Sequence, residues 1–218
     1  MKYTEQFKLN EYLTDKCGPH TYGKQVYDDL FEPVQETLRN YLEIGAAFGG
    51  STLLARDYFT RATVWCVDII DPNFRLASKH AERIIYVQGN AYKKQIADMF
   101  PNEMDIIIDD GSHTLEDQCT AIDLYLNKLS VGGTFIIEDV HNPKVAFNSL
   151  DKVMDDYLVR ERGRNPWLEY EISTYEGPEY LLNSHSSHSA AAEKEIKLYG
   201  ELREKSKDDN LYIIKRVK

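Results

Sequence analysis

The sequence predicts an α/β fold with a mainly parallel, doubly wound sheet, and two observations predict it. Short apolar runs rich in β-branched residues, such as MDIIIDD at 104–110, are typical of strands that are buried on both faces of a parallel sheet. Between Tyr41 and Val140, five such runs alternate with helical stretches of roughly 10 to 15 residues. This alternation is that of βαβ units, in which each helix crosses over from one parallel strand to the next.

Two further strands are predicted after these five, because residues 167–175 and 209–218 alternate apolar and polar side chains. The seven predicted strands are 39–45, 62–69, 83–90, 104–110, 132–140, 167–175 and 209–218. The predicted helices are 26–40, with a kink or restart at Pro33, then 50–59, 73–80, 91–100, 113–129, 143–159 and 190–205.

The composition indicates one hydrophobic core with an embellishment, because 218 residues that are 42% apolar suffice for a single domain. We predict an N-terminal cap or lid segment over residues 1–40, polar and loop-like as far as residue 25. The core then spans 41–218, with a helical insertion around 176–207.

The formal net charge of −10 and the lack of a dense Lys/Arg run argue against a nucleic-acid partner, which usually requires a basic surface. No stretch approaches the length of a membrane span, and the first residues lack the apolar centre of a secretory signal, so we expect a cytoplasmic protein. Cys17, Cys66 and Cys119 are scattered, which argues against a disulfide framework or a zinc site. A small-molecule substrate is the expected partner.

The first predicted βα turn, LEIGAAFGGST, has the features of a ligand site. Glu43 ends the strand, Gly45 and Gly49 allow the backbone to turn sharply and approach a ligand, and Ser51 opens a helix with free N–H groups. The turn lacks the glycine spacing of phosphate and dinucleotide loops, and Glu43 would repel a pyrophosphate. A nucleoside that carries an amine, such as S-adenosylmethionine, suits this turn better.

The next two strands also end in polar residues. Asp68 follows Glu43 by about 25 residues, a spacing suited to binding ribose hydroxyls, and the Asn90 amide could recognise an adenine edge. Strand ends are often polar only because they cap helices. Because three successive strands end this way, we predict a nucleoside site at their carboxyl ends.

Five stretches, in order, resemble the class I S-adenosylmethionine-dependent methyltransferases. They are TDKCGPHTYG, LEIGAAFGGST, CVDI, IIIDDGSHT and GGTFIIEDV, within residues 14–141. More narrowly, they resemble the metal-dependent sugar O-methyltransferases of macrolide biosynthesis and their cephalosporin-hydroxylase-like relatives. The resemblance implies a Rossmann-like, seven-stranded sheet that ends in an antiparallel hairpin.

The resemblance also implies a magnesium or manganese site formed by Asp110, Glu138 and Asp139. These acids follow strands four and five, which are neighbours in this fold, and three carboxylates form an all-oxygen ligand set suited to Mg²⁺. The alternative is that the acids only cap helices. In such relatives the histidine three residues after the first ligand, here His113, is the general base, and a surface histidine that starts a helix is the alternative.

Some assignments stay open in the sequence. Asp109 is expected to face the cofactor, although catechol-type relatives would favour it as a metal ligand. His141 either contacts substrate or simply follows the strand, and His185 and His188 are left unassigned. The aromatic and imidazole rings of the N-terminal segment could line a lid over the acceptor; they are Tyr12, His20 and Tyr22.

The predicted function is transfer of a methyl group from S-adenosylmethionine to a hydroxyl of a small molecule, with a divalent metal. A sugar or another vicinal diol is the expected acceptor, and a homo-oligomer is not excluded. The alternatives are a metal-independent small-molecule methyltransferase and a non-catalytic nucleoside-binding module. A dinucleotide oxidoreductase is disfavoured by the glycine spacing.

Overall fold

The predicted α/β fold is confirmed by a computed structural model, which describes residues 1–10, 12–14, 16–17, 26–70, 82–163, 168–175 and 210–218. Seven strands form one sheet in the order β3-β2-β1-β4-β5-β7-β6. Their bounds are β1 Asn40–Ile44, β2 Thr63–Asp68, β3 Ile84–Gln88, β4 Met104–Asp109, β5 Leu129–Ile137, β6 Tyr170–Tyr175 and β7 Leu211–Arg216. The described helices are α1 Tyr3–Leu9, α2 Asp28–Phe31, α3 Gly50–Tyr58, α4 Lys94–Ala97, α5 Leu115–Tyr125 and α6 Pro143–Arg162.

The first five strands are parallel, so their carboxyl ends lie at one edge of the sheet. At this edge Ile44 of β1 pairs with Asp109 of β4, and Asp109 pairs with Ile137 of β5. The residues that follow β1, β4 and β5 are therefore brought side by side. β7 runs antiparallel to both β5 and β6, which confirms the expected final hairpin.

Each face of the sheet buries its own apolar cluster, because successive side chains of a buried strand point to opposite faces. In β4, Ile107 belongs to the cluster covered by α5 and α6, whereas Ile106 and Ile108 belong to the cluster covered by the N-terminal segment. The second cluster is strongly aromatic, and edge-on contacts join the rings of its N-terminal members. These members are Tyr3, Tyr27, Phe31, Tyr58 and Phe59.

The expectation of a loop over residues 1–25 was wrong at its start. Residues Tyr3–Leu9 form α1, whose first turn is closed by the Glu5 carboxylate accepting from the Lys2 backbone N–H at 2.9 Å. Tyr3 is fully buried, so a tertiary aromatic contact stabilises a helix too short to be evident from periodicity.

Four other helices differ in length from their predictions by three residues or more; one of them, predicted at 113–129, is α5 followed by a 3₁₀ turn at Leu126–Lys128. The helix predicted at 26–40 ends as α2 and a 3₁₀ turn at Glu32–Val34, since Pro33 cannot continue an α-helical hydrogen-bond pattern. The helix predicted at 91–100 is reduced to α4, whereas α6 extends three residues beyond its predicted end. The helices predicted at 73–80 and 190–205, and the insertion around 176–207, lie outside the described residues.

Among the described residues, no helix combines the length and the apolar character that crossing a bilayer requires.

Candidate active site

The turns after β1 and β4 touch at the carboxyl edge of the sheet, and Gly45 makes the contact. Its φ is +87°, and an added Cβ would lie 2.0 Å from the carbonyl oxygen of Asp110. Only glycine is compatible with both the backbone angle and this approach. The predicted cofactor turn and the predicted metal turn are therefore parts of one site.

The turn after β1 holds its acid against its helix. Glu43 is fully buried, and its Oε2 accepts a hydrogen bond from Thr52 Oγ1 at 2.5 Å. Burial raises the pKa of this carboxyl above its usual value. Gly49 has a φ of 77° and precedes α3, and Ser51 is buried in the first turn of that helix. The backbone thus curves tightly around the position where the sequence predicts a ligand.

The acids and amides at the ends of β2 and β3 are held by the backbone. Asp68 accepts from the N–H of Ala47 at 2.8 Å and from the N–H of Ile70 at 3.2 Å. The Asn90 side-chain oxygen, Oδ1, accepts from the N–H of Tyr92 at 2.9 Å. Asp68 therefore couples the turn after β2 to the turn after β1, and both side chains keep part of their surface exposed.

Asp109 lies beneath the turn after β4 and is 2% exposed. Its Oδ1 accepts from the Tyr92 hydroxyl at 2.8 Å, and that hydroxyl accepts in turn from the N–H of Ser112 at 3.0 Å. The Oδ2 atom has no hydrogen-bond partner among the described residues. Burial raises the pKa of Asp109 to about 7, although the Tyr92 hydrogen bond opposes the rise.

Asp110, His113 and Asp139 form a partly exposed cluster above that layer. One ligand atom from each lies within 4.8 Å of the other two. The His113 Nε2 atom is 4.0 Å from Asp110 Oδ1 and 3.9 Å from Asp139 Oδ2. The side chains are 20–26% exposed, so a ligand can reach them from solvent.

Two members of this cluster have left-handed backbone angles, φ 56° for His113 and φ 50° for Asp139. This region is uncommon for residues with a Cβ, and it concentrates at functional turns. Both residues lie in the turns that follow β4 and β5, where the metal site is predicted.

Glu138 lies apart from this cluster, in a buried layer with Lys16. Lys16 is 2% exposed, and its Nζ donates to Glu138 Oε2 and to Asp110 Oδ2, each at 2.6 Å. The Tyr27 hydroxyl donates to the other Glu138 oxygen. Burial lowers the pKa of Lys16, but Asp110, Glu138 and Glu43 outweigh that effect and hold it well above its ordinary value. Lys16 is therefore a charged ammonium inside the protein.

The residues fit a hard divalent cation. Asp110 and Asp139 offer carboxylate oxygens, and Glu138 lies next in the chain to one and shares Lys16 with the other. One ligand atom each of Asp110 and Asp139 and one ring nitrogen of His113 lie within 4.8 Å of one another, so a single ion can contact both acids beside the imidazole. Mg²⁺ prefers oxygen, whereas a softer ion would also accept the imidazole.

The structure thus brings most of the predicted site residues to one edge. The side chain of Glu138 points into the Lys16 layer, and the role of Glu138 as a ligand stays a prediction. The Tyr12 hydroxyl donates a hydrogen bond to Asp57 on α3 at 2.7 Å, so the Tyr12 side chain is held against that helix. The other residues that the sequence singled out lie outside the described residues; they are His20, Tyr22, His185 and His188.

Three residues of the site have no role in the sequence-based prediction. Lys16 lies within the TDKCGPHTYG stretch, yet nothing local to it indicates burial among acids 94 and 122 positions away. Tyr27 and Tyr92 are similar cases, because each was one aromatic residue among many. Only their tertiary contacts with Glu138 and Asp109 distinguish them.

The chain is similar in sequence and in fold to proteins of known function. Residues 42–140 match a family model described as a methyltransferase domain. The chain is 33% identical over 135 residues to 8-demethyl-8-alpha-L-rhamnosyl tetracenomycin-C 2'-O-methyltransferase of Streptomyces olivaceus, covering 58% of this chain and 35% of the relative. It is 31% identical over 149 residues to demethylmacrocin O-methyltransferase of Streptomyces fradiae, covering 61% and 36%. The chain spans about a third of the length of these relatives.

The chain is also similar to a solved structure of the MycE methyltransferase from the mycinamycin biosynthetic pathway, in complex with Mg, SAH and mycinamycin VI. The two superpose with a TM-score of 0.55 at 27% identity. The match covers 64% of this chain and 37% of that chain. A second crystal of that enzyme, with Mg and SAH, has a TM-score of 0.62 and covers 99% of this chain at 19% identity, which supports the fold alone. Residues 42–140 are thus similar in sequence to a methyltransferase domain, and the chain shares its fold with the MycE enzyme.

Proposed function

We propose that this protein transfers a methyl group from S-adenosylmethionine to a hydroxyl of a small molecule, with the help of a divalent metal. The Asp110, His113 and Asp139 cluster carries the proposal, because it pairs hard oxygen ligands with an imidazole at 4 Å. The contact of Gly45 with Asp110 places this cluster directly beside the turn that is predicted to bind the methyl donor. The relatives named as sugar O-methyltransferases support the same chemistry.

The proposed cofactor residues line the turns after β1, β2 and β3, with Asp109 below them. Asp68 would bind the ribose hydroxyls, Asn90 the adenine edge and Glu43 the amino group. The glycines and the first turn of α3 let the ligand approach the backbone. The full set is Glu43, Gly45, Gly49, Ser51, Asp68, Asn90 and Asp109.

Asp110, Glu138 and Asp139 are the proposed metal ligands, and Mg²⁺ or Mn²⁺ is the proposed ion. A carboxylate oxygen has two lone pairs, so Glu138 can accept from Lys16 and still offer a pair to the ion. When bound, the ion acidifies the acceptor hydroxyl and fixes the geometry of two neighbouring acceptor oxygens.

His113 is the proposed general base, acting through Nε2, the atom that faces both acids. As a lone pair of the acceptor oxygen forms the new C–O bond, the C–S bond breaks and its electrons stay on sulfur. The hydroxyl proton passes to His113 Nε2, and S-adenosylhomocysteine is the second product. The acidic surface keeps a nucleic-acid acceptor outside the proposal.

Methyl transfer to a matched pair of glycosides tests the proposal. One glycoside carries a vicinal diol and the other lacks one of the two hydroxyls, and the methylated product is measured by mass spectrometry. We expect product with the diol only, and none after EDTA treatment until Mg²⁺ is restored. Efficient transfer to the single hydroxyl in EDTA would instead identify a metal-independent enzyme, and donor binding without transfer to any acceptor would identify a binding module.

A further inference from the structure

The buried ammonium of Lys16 has no role in the chemistry described so far. It lies on the N-terminal segment, yet its Nζ bridges two acids that follow different strands, Asp110 after β4 and Glu138 after β5. A third acid, Glu43 near the end of β1, has its Oε1 atom 3.9 Å from Lys16 Nζ. Lys16 therefore connects the ends of three strands at the point where the proposed metal site begins.

Because these side chains are buried, the position of each depends strongly on the others. Lys16 is 2% exposed, Glu43 is fully buried and Glu138 is 1% exposed, so water cannot replace a missing partner. A buried charge that loses its partner is strongly destabilised, and clustered carboxylates repel one another. Asp110 is 23% exposed, so without Lys16 it is free to swing toward solvent.

The two oxygens of Asp110 have different neighbours. Oδ2 accepts from Lys16 at 2.6 Å, whereas Oδ1 faces His113 Nε2 at 4.0 Å. Holding one oxygen of a planar carboxylate fixes the direction of the other. In the same way Glu138 is held at both ends, by Tyr27 at Oε1 and by Lys16 at Oε2.

We propose that Lys16 is a positioning residue for the metal site, which holds Asp110 and Glu138 in the arrangement that binds the divalent ion. This inference rests on the proposed function. The N-terminal segment is then an integral part of the active site, anchored there by one charged side chain. Its packing agrees, because an added Cβ at Gly50 on α3 would lie 1.9 Å from the carbonyl oxygen of Leu13.

The direction in which Lys16→Met changes the metal affinity distinguishes a positioning role from a purely electrostatic one. Lys16→Met removes a positive charge close to the proposed ion, and Coulomb repulsion alone predicts that the metal then binds more tightly. Loss of positioning predicts the opposite, because the carboxylates separate. The outer partners of metal ligands are typically worth about 10- to 100-fold in metal affinity.

The experiment is a calorimetric titration of Mg²⁺ and of Mn²⁺ into the full chain, with the melting temperature measured for each variant. We expect Lys16→Met to weaken metal binding by at least about 10-fold. Lys8→Met is the matched control, because it removes the same charge from an exposed position of the same segment and should leave the affinity unchanged. A folded Lys16→Met protein that binds metal as tightly as the parent, or more tightly, would overturn the inference.

Lys16→Arg keeps the buried charge and carries the test if the methionine variant does not fold. The wider guanidinium cannot place a nitrogen at the Nζ position, so positioning predicts weaker metal binding in this variant too. A purely structural Lys16 would lower the melting temperature and leave the affinity of the folded protein unchanged, which would also refute the inference. If the parent itself binds neither ion, the metal part of the proposed function fails instead.

Discussion

The two halves of the carboxyl edge differ in how their polar groups are satisfied. In the cofactor half, backbone N–H groups of the chain already donate to both Asp68 carboxylate oxygens and to the Asn90 side-chain oxygen. In the metal half, the carboxylates of Asp110 and Glu138 come together around the buried ammonium of Lys16, and the carboxylate of Asp139 lies close to that of Asp110. The polar groups of the cofactor half are therefore already held in place without a ligand, whereas the metal half carries negative charge that a cation would balance.

Loss of the base should produce the largest effect. His113→Ala leaves every proposed ligand in place, so we expect turnover to fall by roughly 10²- to 10⁴-fold while metal affinity holds. The rise of rate with pH that an imidazole base gives should also vanish. His141→Ala is the matched control, since the two rings lie edge-on with centroids 6.3 Å apart. A His113→Ala protein with weakened metal binding would make His113 a ligand instead.

Asp109, the buried acid at the end of β4, should make stability depend on pH. The pKa of Asp109 is raised from 3.8 to about 7, so its folded-state carboxyl holds a proton that the unfolded chain releases near pH 4. Stability is therefore full below that pH and falls as the pH rises through 7, by up to about 4 kcal/mol. Asp109→Asn should flatten this slope in urea unfolding of the protein in EDTA, whereas the exposed Asp98→Asn should not. Equal slopes in Asp109→Asn and the parent would contradict the assignment.

The loss of turnover that follows from a weakened metal site should be partly restored by added metal. Asp110→Asn removes one charge from the proposed ligand set, and we expect turnover at low Mg²⁺ to fall by at least about 10-fold. Because Glu138 and Asp139 remain, high Mg²⁺ or Mn²⁺ should restore part of the rate. Steady-state rates across a metal titration measure this, and a loss of rate that no metal concentration changes would argue against Asp110 as a ligand.

The smallest effect should be a loss of ligand affinity caused by a change in the cofactor half, whose polar groups the backbone already holds. Asp68→Ala removes one contact to the ribose, and we expect S-adenosylhomocysteine to bind about 10-fold more weakly, the size of one hydrogen bond to a charged group. The shift in melting temperature that the ligand produces should shrink accordingly. Asp98→Ala serves as the exposed control, and an undiminished shift in Asp68→Ala would place the cofactor site elsewhere.

The sequence was sufficient for the parts of the molecule that local patterns determine. Apolar runs located the first five strands and alternation located the last two, and because parallel strands end at one edge, Asp110 and Asp139 could be expected to meet. The hydrogen bonds of Lys16 could not be predicted, since it lies 94 residues from Asp110 and no periodicity records such a contact. Helix α1 escaped prediction for the same reason, because its stability comes from the packing of Tyr3 on distant rings.

The central claim is that Asp110 and Asp139 hold a divalent ion beside the bound methyl donor. Calorimetric titration of Mg²⁺ into the protein saturated with S-adenosylhomocysteine, compared with the Asp139→Asn variant, tests it most directly. The account predicts one binding event in the parent and an affinity at least about 10-fold lower in the variant. Equal affinity in the two proteins, or no binding in the parent, would contradict it.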